Sequence, residues 1–246
     1  MFKEEEKTTL KDVFHVLFAN DQLMWTTLSM CLFTVGYITT TSYAYYYMQY
    51  VYGDESLYVI LVAVVGVAQL LALAIFPKVS SLFNRKKFYS VSTALVVAGY
   101  LIFFFAEKSL TILVFAAVII FIGEAFIQTL MLMFLADTIE YGQWKLNKRN
   151  DSVTFSIQPL INKMGGALST GIVSASLIMA GIKTADSDLV AASIDASGKM
   201  VVKSAMLVIP LILIVVGYII YMWKYKIDED FYKKIVADLK ERGDIK

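Results

Sequence analysis

The sequence predicts an all-α integral membrane protein with six transmembrane helices. Three observations carry this. Of the 246 residues, 58% are hydrophobic and only 17% are charged, against about 45–50% and about 25% in an ordinary soluble domain. Six apolar stretches each reach the roughly 20 residues needed to cross a hydrocarbon core of about 30 Å. Basic residues gather in alternate connections, as they do on the inner side of a membrane.

The expected spans are 23–48, 57–76, 89–106, 110–135, 153–182 and 200–223. Each is read as helix because lipid offers no other way for a lone span to satisfy its backbone. Segment 1–22 is read as a cytoplasmic amphipathic or linker segment, with Leu10, Val13, Phe14, Val16, Leu17 and Phe18 on roughly one face. It lies on the inner membrane surface or packs on protein. Segment 23–223 is the membrane bundle, and 224–246 is a charged cytoplasmic tail. Seventeen of the 22 Lys and Arg fall in the first tail, the connections after the second and fourth spans, and the last tail. Both termini therefore face the cytoplasm of a multi-pass cell-membrane protein, and six crossings agree with that parity.

The same composition excludes other classes. The chain is too apolar for its charge to be disordered. A single cysteine, Cys31, rules out a disulfide scaffold, and a net charge of +1 gives no reason to expect nucleic-acid binding. Three prolines and 13 glycines fit long helices better than turn-rich β structure. No nucleophile elbow, P-loop, zinc spacing or pair of intramembrane aspartates is present. The one histidine, His15, lies in the first segment. An enzyme, a metal site and a cofactor are not expected.

Two ionisable side chains lie deep in the spans. Lys163 is about 15 Å into the fifth and Glu124 about 16 Å into the fourth, counting 1.5 Å per residue from the cytoplasmic ends. A charge there costs about 2.5–3.5 kcal/mol on insertion scales, so each needs a partner or a watery cavity. Either they line a solute path, or they pair with each other and fix helix packing. The fifth span supports a path. Ser152, Ser156, Pro159, Lys163, Gly166 and Thr170 recur at helical spacing on one face, and Gly165, Gly166 and Ala167 allow a neighbour to approach. Gln128 lies one turn from Glu124. In the first span, Tyr37 and Thr41 are lining candidates, whereas Tyr45 to Tyr50 fit an interfacial tyrosine belt better.

The connection after the fourth span reads Ala136-Asp137-Thr138-Ile139-Glu140-Tyr141-Gly142-Gln143-Trp144-Lys145, then Lys148-Arg149. Ser156, Gln158-Pro159-Leu160 and Asn162-Lys163-Met164-Gly165-Gly166-Ala167 follow. This resembles the glycoside–pentoside–hexuronide:cation symporters of the major facilitator superfamily. Leu10 to Phe14 and Asn20 to Leu23 resemble that family's galactoside branch, which carries lactose, melibiose and raffinose. The resemblance covers essentially the whole chain, but only as the C-terminal six-helix half of a twelve-helix carrier.

It implies secondary transport of a galactoside, coupled to a proton or sodium whose site lies in the N-terminal half. That half, the sugar and the lipid bilayer would be the partners. Lys163 would face the cavity between halves, with Glu124 as its local alternative partner. Asp137, Glu140, Tyr141, Lys145, Arg149 and Asp151 would form a cytoplasmic gating loop. Lys148 stands where some galactoside members carry His, and Asp151 where they carry Glu. A self-assembling six-helix transporter and a transport-inactive fragment or scaffold are the alternatives.

Overall fold

The computed structural model describes residues 10–106, 109–182 and 194–245. It is all-helical among them. A short helix α1 (Leu10–Ala19) leads into six long ones: α2 (Asp21–Tyr46), α3 (Leu57–Ser80), α4 (Arg85–Phe105), α5 (Leu110–Leu146), α6 (Asp151–Met179) and α7 (Ala196–Lys224). A last helix, α8 (Glu229–Glu241), follows. α2 continues through a π-helical turn, Tyr47–Tyr52, that stops at Gly53 in a left-handed conformation (φ 96°).

Side-chain caps set several starts. Asn20 accepts from Leu23 N, Asn84 from Lys87 N, and Asp195 from Gly198 N, at 3.0, 2.8 and 2.7 Å. These caps explain why α2, α4 and α7 each begin a few residues before their apolar stretches.

Among the described residues, five helices are long and apolar enough to cross a membrane. α6, the expected fifth span, is long enough at 29 residues but more polar. Both faces contribute: Asn162 and Lys163 are exposed, and Thr154, Gly165, Ser169 and Ser176 are buried inward among a few apolar residues. Those hydroxyls do packing work. Thr39 Oγ1 donates to Ser169 Oγ at 3.1 Å, and the Tyr43 hydroxyl meets that of Ser176.

Without water to expel, helices in lipid associate by close packing and shared hydrogen bonds, so small residues mark the contacts. A Cβ at Gly123 would sit 2.7 Å from Val96 Cγ2 and 2.9 Å from the Ser92 carbonyl oxygen. At Gly99 it would meet Ile120 at 2.6 Å. These two glycines set the α4–α5 contact. Gly217 brings α7 against the Ser29 backbone of α2, where Ser29 Oγ donates to the Gly217 carbonyl at 2.8 Å. Gly165 does the same for α6, its missing Cβ lying 2.8 Å from Thr34 Cγ2. Gly166 has open space around it, so Gly165 alone makes the expected close approach.

Two further expectations change. Tyr47, expected in the interfacial belt, is buried in the core, where its ring meets Phe103 edge-on at 5.1 Å. The connection after the fourth span is mostly helix. α5 runs on to Leu146, and only four residues separate it from α6.

Gly123→Ala is expected to lower stability by about 1–3 kcal/mol, the usual cost of overpacking. Gly66→Ala, where nothing lies within 4 Å, should be neutral or slightly stabilising. Thermal unfolding of both variants in detergent micelles checks the contrast.

Candidate functional site

The extension of α5 gathers the residues expected in the gating loop. Asp137, Tyr141 and Lys145 are spaced four apart and share one helical face. Tyr141 OH and Lys145 Nζ both donate to Asp21 Oδ1, at 2.8 and 2.5 Å. Asn20 Nδ2 donates to the Thr138 carbonyl at 2.8 Å. Gly142 makes that bond possible, since a Cβ there would lie 2.8 Å from Asn20 Nδ2. The Tyr141-Gly142 pair thus anchors the start of α2 to the end of α5.

Asp137 is buried and paired with Arg85 at the start of α4, and Tyr225 OH donates to it at 3.4 Å. Arg149 holds the remaining members. Its Nε donates to Asp151 at 2.7 Å, and its other nitrogens to Gln143 at 3.0 Å and Glu140 at 3.4 Å. α8 closes the cluster, as Asp238 accepts from Trp144 Nε1 at 2.9 Å. A cleft of about 380 Å³ opens beside the Arg85–Asp137 pair, lined also by Tyr232, Glu229 and Lys233.

The two buried-end carboxylates shift in opposite directions. Burial raises Asp137 and outweighs the attraction of Arg85. At Asp21 burial also pushes upward, but the bonds from Lys145, Gln22 and Tyr141 win and hold the carboxyl at about 2.

The intramembrane candidates separate. Lys163 is exposed on α6, together with Ser152, Pro159 and Thr170. Ser156 and Gly166 are half-buried on the same stripe. The hydroxyls of that stripe serve their own helix, Ser156 donating to the Val153 carbonyl at 2.7 Å and Thr170 to the Gly166 carbonyl at 2.8 Å. Gln128 is exposed on α5. Tyr37 is half-buried, edge-on to Phe121 two turns before Gln128. Thr41 is half-buried and bonds back to the Ile38 and Tyr37 carbonyls at 3.0 and 3.1 Å.

Glu124 lies elsewhere. It is 1% exposed. Tyr100 OH of α4 donates to one of its carboxyl oxygens at 3.4 Å, and the other oxygen has no partner. The Tyr100 hydroxyl also meets Thr40 of α2, which reaches the Met206 carbonyl of α7 at 3.3 Å. The Glu124–Lys163 ion pair does not form, because the two side chains point to opposite sides of the α5–α6 pair: one into the bundle, one out of it.

Residues 1–229 match the family described as MFS/sugar transport protein. The chain belongs to that family. It is 33% identical to the lactose permease of Lactobacillus delbrueckii subsp. bulgaricus over 96% of this chain and 37% of that protein. It is 30% identical to the raffinose carrier protein of Pediococcus pentosaceus over 96% and 36%, and 28% identical to the lactose permease of Leuconostoc lactis over the same shares. The chain thus spans little more than a third of the length of these relatives. With five helices fit to cross a membrane and relatives that are permeases and carriers, it is a multi-pass membrane protein of a sugar-transport family.

Sequence reading missed Arg85, Asp21, Tyr100 and Asp238 as partners. Arg85 and Asp21 carry only the signal of charge at a helix start, and Tyr100 is one aromatic among many. Asp238 lies 94 residues from the tryptophan it binds.

Asp21→Asn is expected to lower stability near pH 7 by about 1 kcal/mol, since the pair is partly exposed. Asp21 has a lowered pKa, so its contribution is present above about pH 4 and fades as pH falls towards 2. Unfolding midpoints of wild type and variant should converge over that window.

Proposed function

We propose that this chain forms the C-terminal six-helix half of a cation-coupled glycoside carrier. A galactoside such as lactose is the substrate, by likeness to the lactose permeases and the raffinose carrier. The observation that carries this reading is Lys163, a lysine on a membrane-length helix, exposed on the outside of its own bundle and paired with no described carboxylate. Such a charge is tolerated only against a protein partner or a water-filled cavity. A second six-helix bundle bearing carboxylates supplies both. Rocking of the two bundles about a mid-membrane site would then expose the sugar alternately to each side.

In this reading Lys163 pairs across the cavity and its pairing changes as cation and sugar bind. The coupling ion, a proton or sodium, binds mainly in the partner half. Tyr37, Thr41, Gln128, Ser156 and Thr170 border the path. Glu124 serves packing through Tyr100 and Thr40. The Asp137 to Asp151 cluster fastens the cytoplasmic end of the bundle while the halves move. Both termini face the cytoplasm, supported by the distribution of lysine and arginine.

Labelled galactoside uptake in cells lacking their own carrier tests this, with the chain expressed alone or with a matching N-terminal half. Uptake only with the partner is the expected result. Lys163→Ala in the paired carrier should abolish accumulation without reducing the amount of protein in the membrane. Uptake by the chain alone, or undiminished accumulation in Lys163→Ala, would overturn the reading.

A further inference from the structure

α2 and α7 run antiparallel, so the first turns of one meet the last turns of the other at the Ser29–Gly217 bond. Beyond that crossing three side chains converge. Lys224, the last residue of α7, places its Nζ 4.3 Å from the ring centroid of Trp223 and 5.2 Å from that of Trp25. Indole faces attract a cation but leave its charge in place. No described carboxylate pairs with Lys224, and neither indole N–H donates to any described group. Trp223 is 77% exposed.

Behind this cluster lies an apolar ridge. Ile212, Val216 and Ile219 are exposed and lead to Trp223 at helical spacing of four, three and four, with Leu28 exposed on α2 beside Trp25. A cation with no described counter-charge and two indole donors sits where the span ends, at the head of an exposed apolar strip. The matching molecule is an anion joined to hydrocarbon.

We propose that Trp25, Trp223 and Lys224 form a headgroup site for an anionic phospholipid. The phosphate meets Lys224 and an acyl chain lies along the α7 ridge. This rests on the chain spanning a bilayer and is independent of what it transports.

The test is quenching of tryptophan emission by brominated lipid, with the full chain reconstituted in phosphatidylcholine vesicles. Brominated phosphatidylglycerol should quench at about five-fold lower mole fraction than brominated phosphatidylcholine, the preference one lysine gives near an anionic surface. Trp144, held by Asp238, adds the same background to every sample. Lys224→Gln should bring the two lipids to near parity, and Lys224→Arg should keep the preference. Lys226→Gln removes the same charge two residues away, outside the indole pair, and should keep it too. Trp223→Leu, at an exposed position, should weaken the preference without harming insertion. Equal quenching by both lipids in the wild type would overturn the site. So would equal weakening by Lys224→Gln and Lys226→Gln, which would mark diffuse surface charge, or an unchanged preference in Trp223→Leu.

Discussion

A chain crossing a bilayer has no water to satisfy its polar groups or to drive its helices together, and this structure is organised by that constraint. Its helices meet where a side chain is missing. Gly99 and Gly123 seat α4 on α5, Gly217 seats α7 on α2, and Gly165 seats α6 on α2. At those contacts several hydroxyls find partners across helices, as Ser29 does on Gly217, Thr39 on Ser169, and Tyr43 on Ser176. Apolar side chains turn outward instead. α3 presents Val59, Ile60, Val67, Leu70 and Leu71 to the surface and buries only a narrow stripe against α5. In water this would be an aggregation-prone face; in lipid it is the solvated one.

The same constraint sorts the charges. Most of the charged groups that the motif brings together are matched within the chain: Asp21 with Lys145, Asp137 with Arg85, and Arg149 with Asp151 and Glu140. Burial decides how each pair behaves. Asp21, open to solvent on one side and held by three donors, stays strongly acidic, whereas Asp137, deeper and served chiefly by Arg85, is pushed the other way. Lys163 is the exception, a cation on a membrane-length helix that pairs with no described carboxylate.

Much of the fold was legible in the sequence. Six apolar stretches became six long helices, because the length requirement of a span leaves few alternatives. Helix ends were less legible where a cap rather than hydropathy sets them, as at Asn84 and Asp195. The run of α5 to Leu146 was hidden because polar residues replace apolar ones at the membrane surface without any change in helical geometry. At the site, the exposed stripe of Ser152, Pro159, Lys163 and Thr170 could be read from spacing alone. The fate of Glu124 could not. Whether an acid at mid-membrane depth faces a cavity or a tyrosine depends on which helix packs on that side, and spacing along α5 says nothing about α4. Tyr47 failed for the same reason, since composition gives its depth but not its facing.

The bonds at this end of the bundle have a mechanical consequence. Asn20 to Thr138, Asp21 to Tyr141 and Lys145, and Gln22 to the backbone N–H of Lys226 at 2.7 Å all involve three consecutive residues at the α1–α2 junction. They reach α5 on one side and the α7–α8 turn on the other. α1 also packs on α6. The junction is thus bonded at several points to elements far apart in sequence. A tilt of the bundle would carry α1 with it as part of the same body. In the carrier proposed above, alternating access by rigid-body rocking would require each half to move without deforming. It is here, at the end of the helices where leverage is greatest, that the chain places its densest set of inter-helix polar bonds. The motif Asp137 to Lys145 is then best understood through what it fastens. Its charges fasten the end of α5 to the start of α2 through Asp21 and to the start of α4 through Arg85.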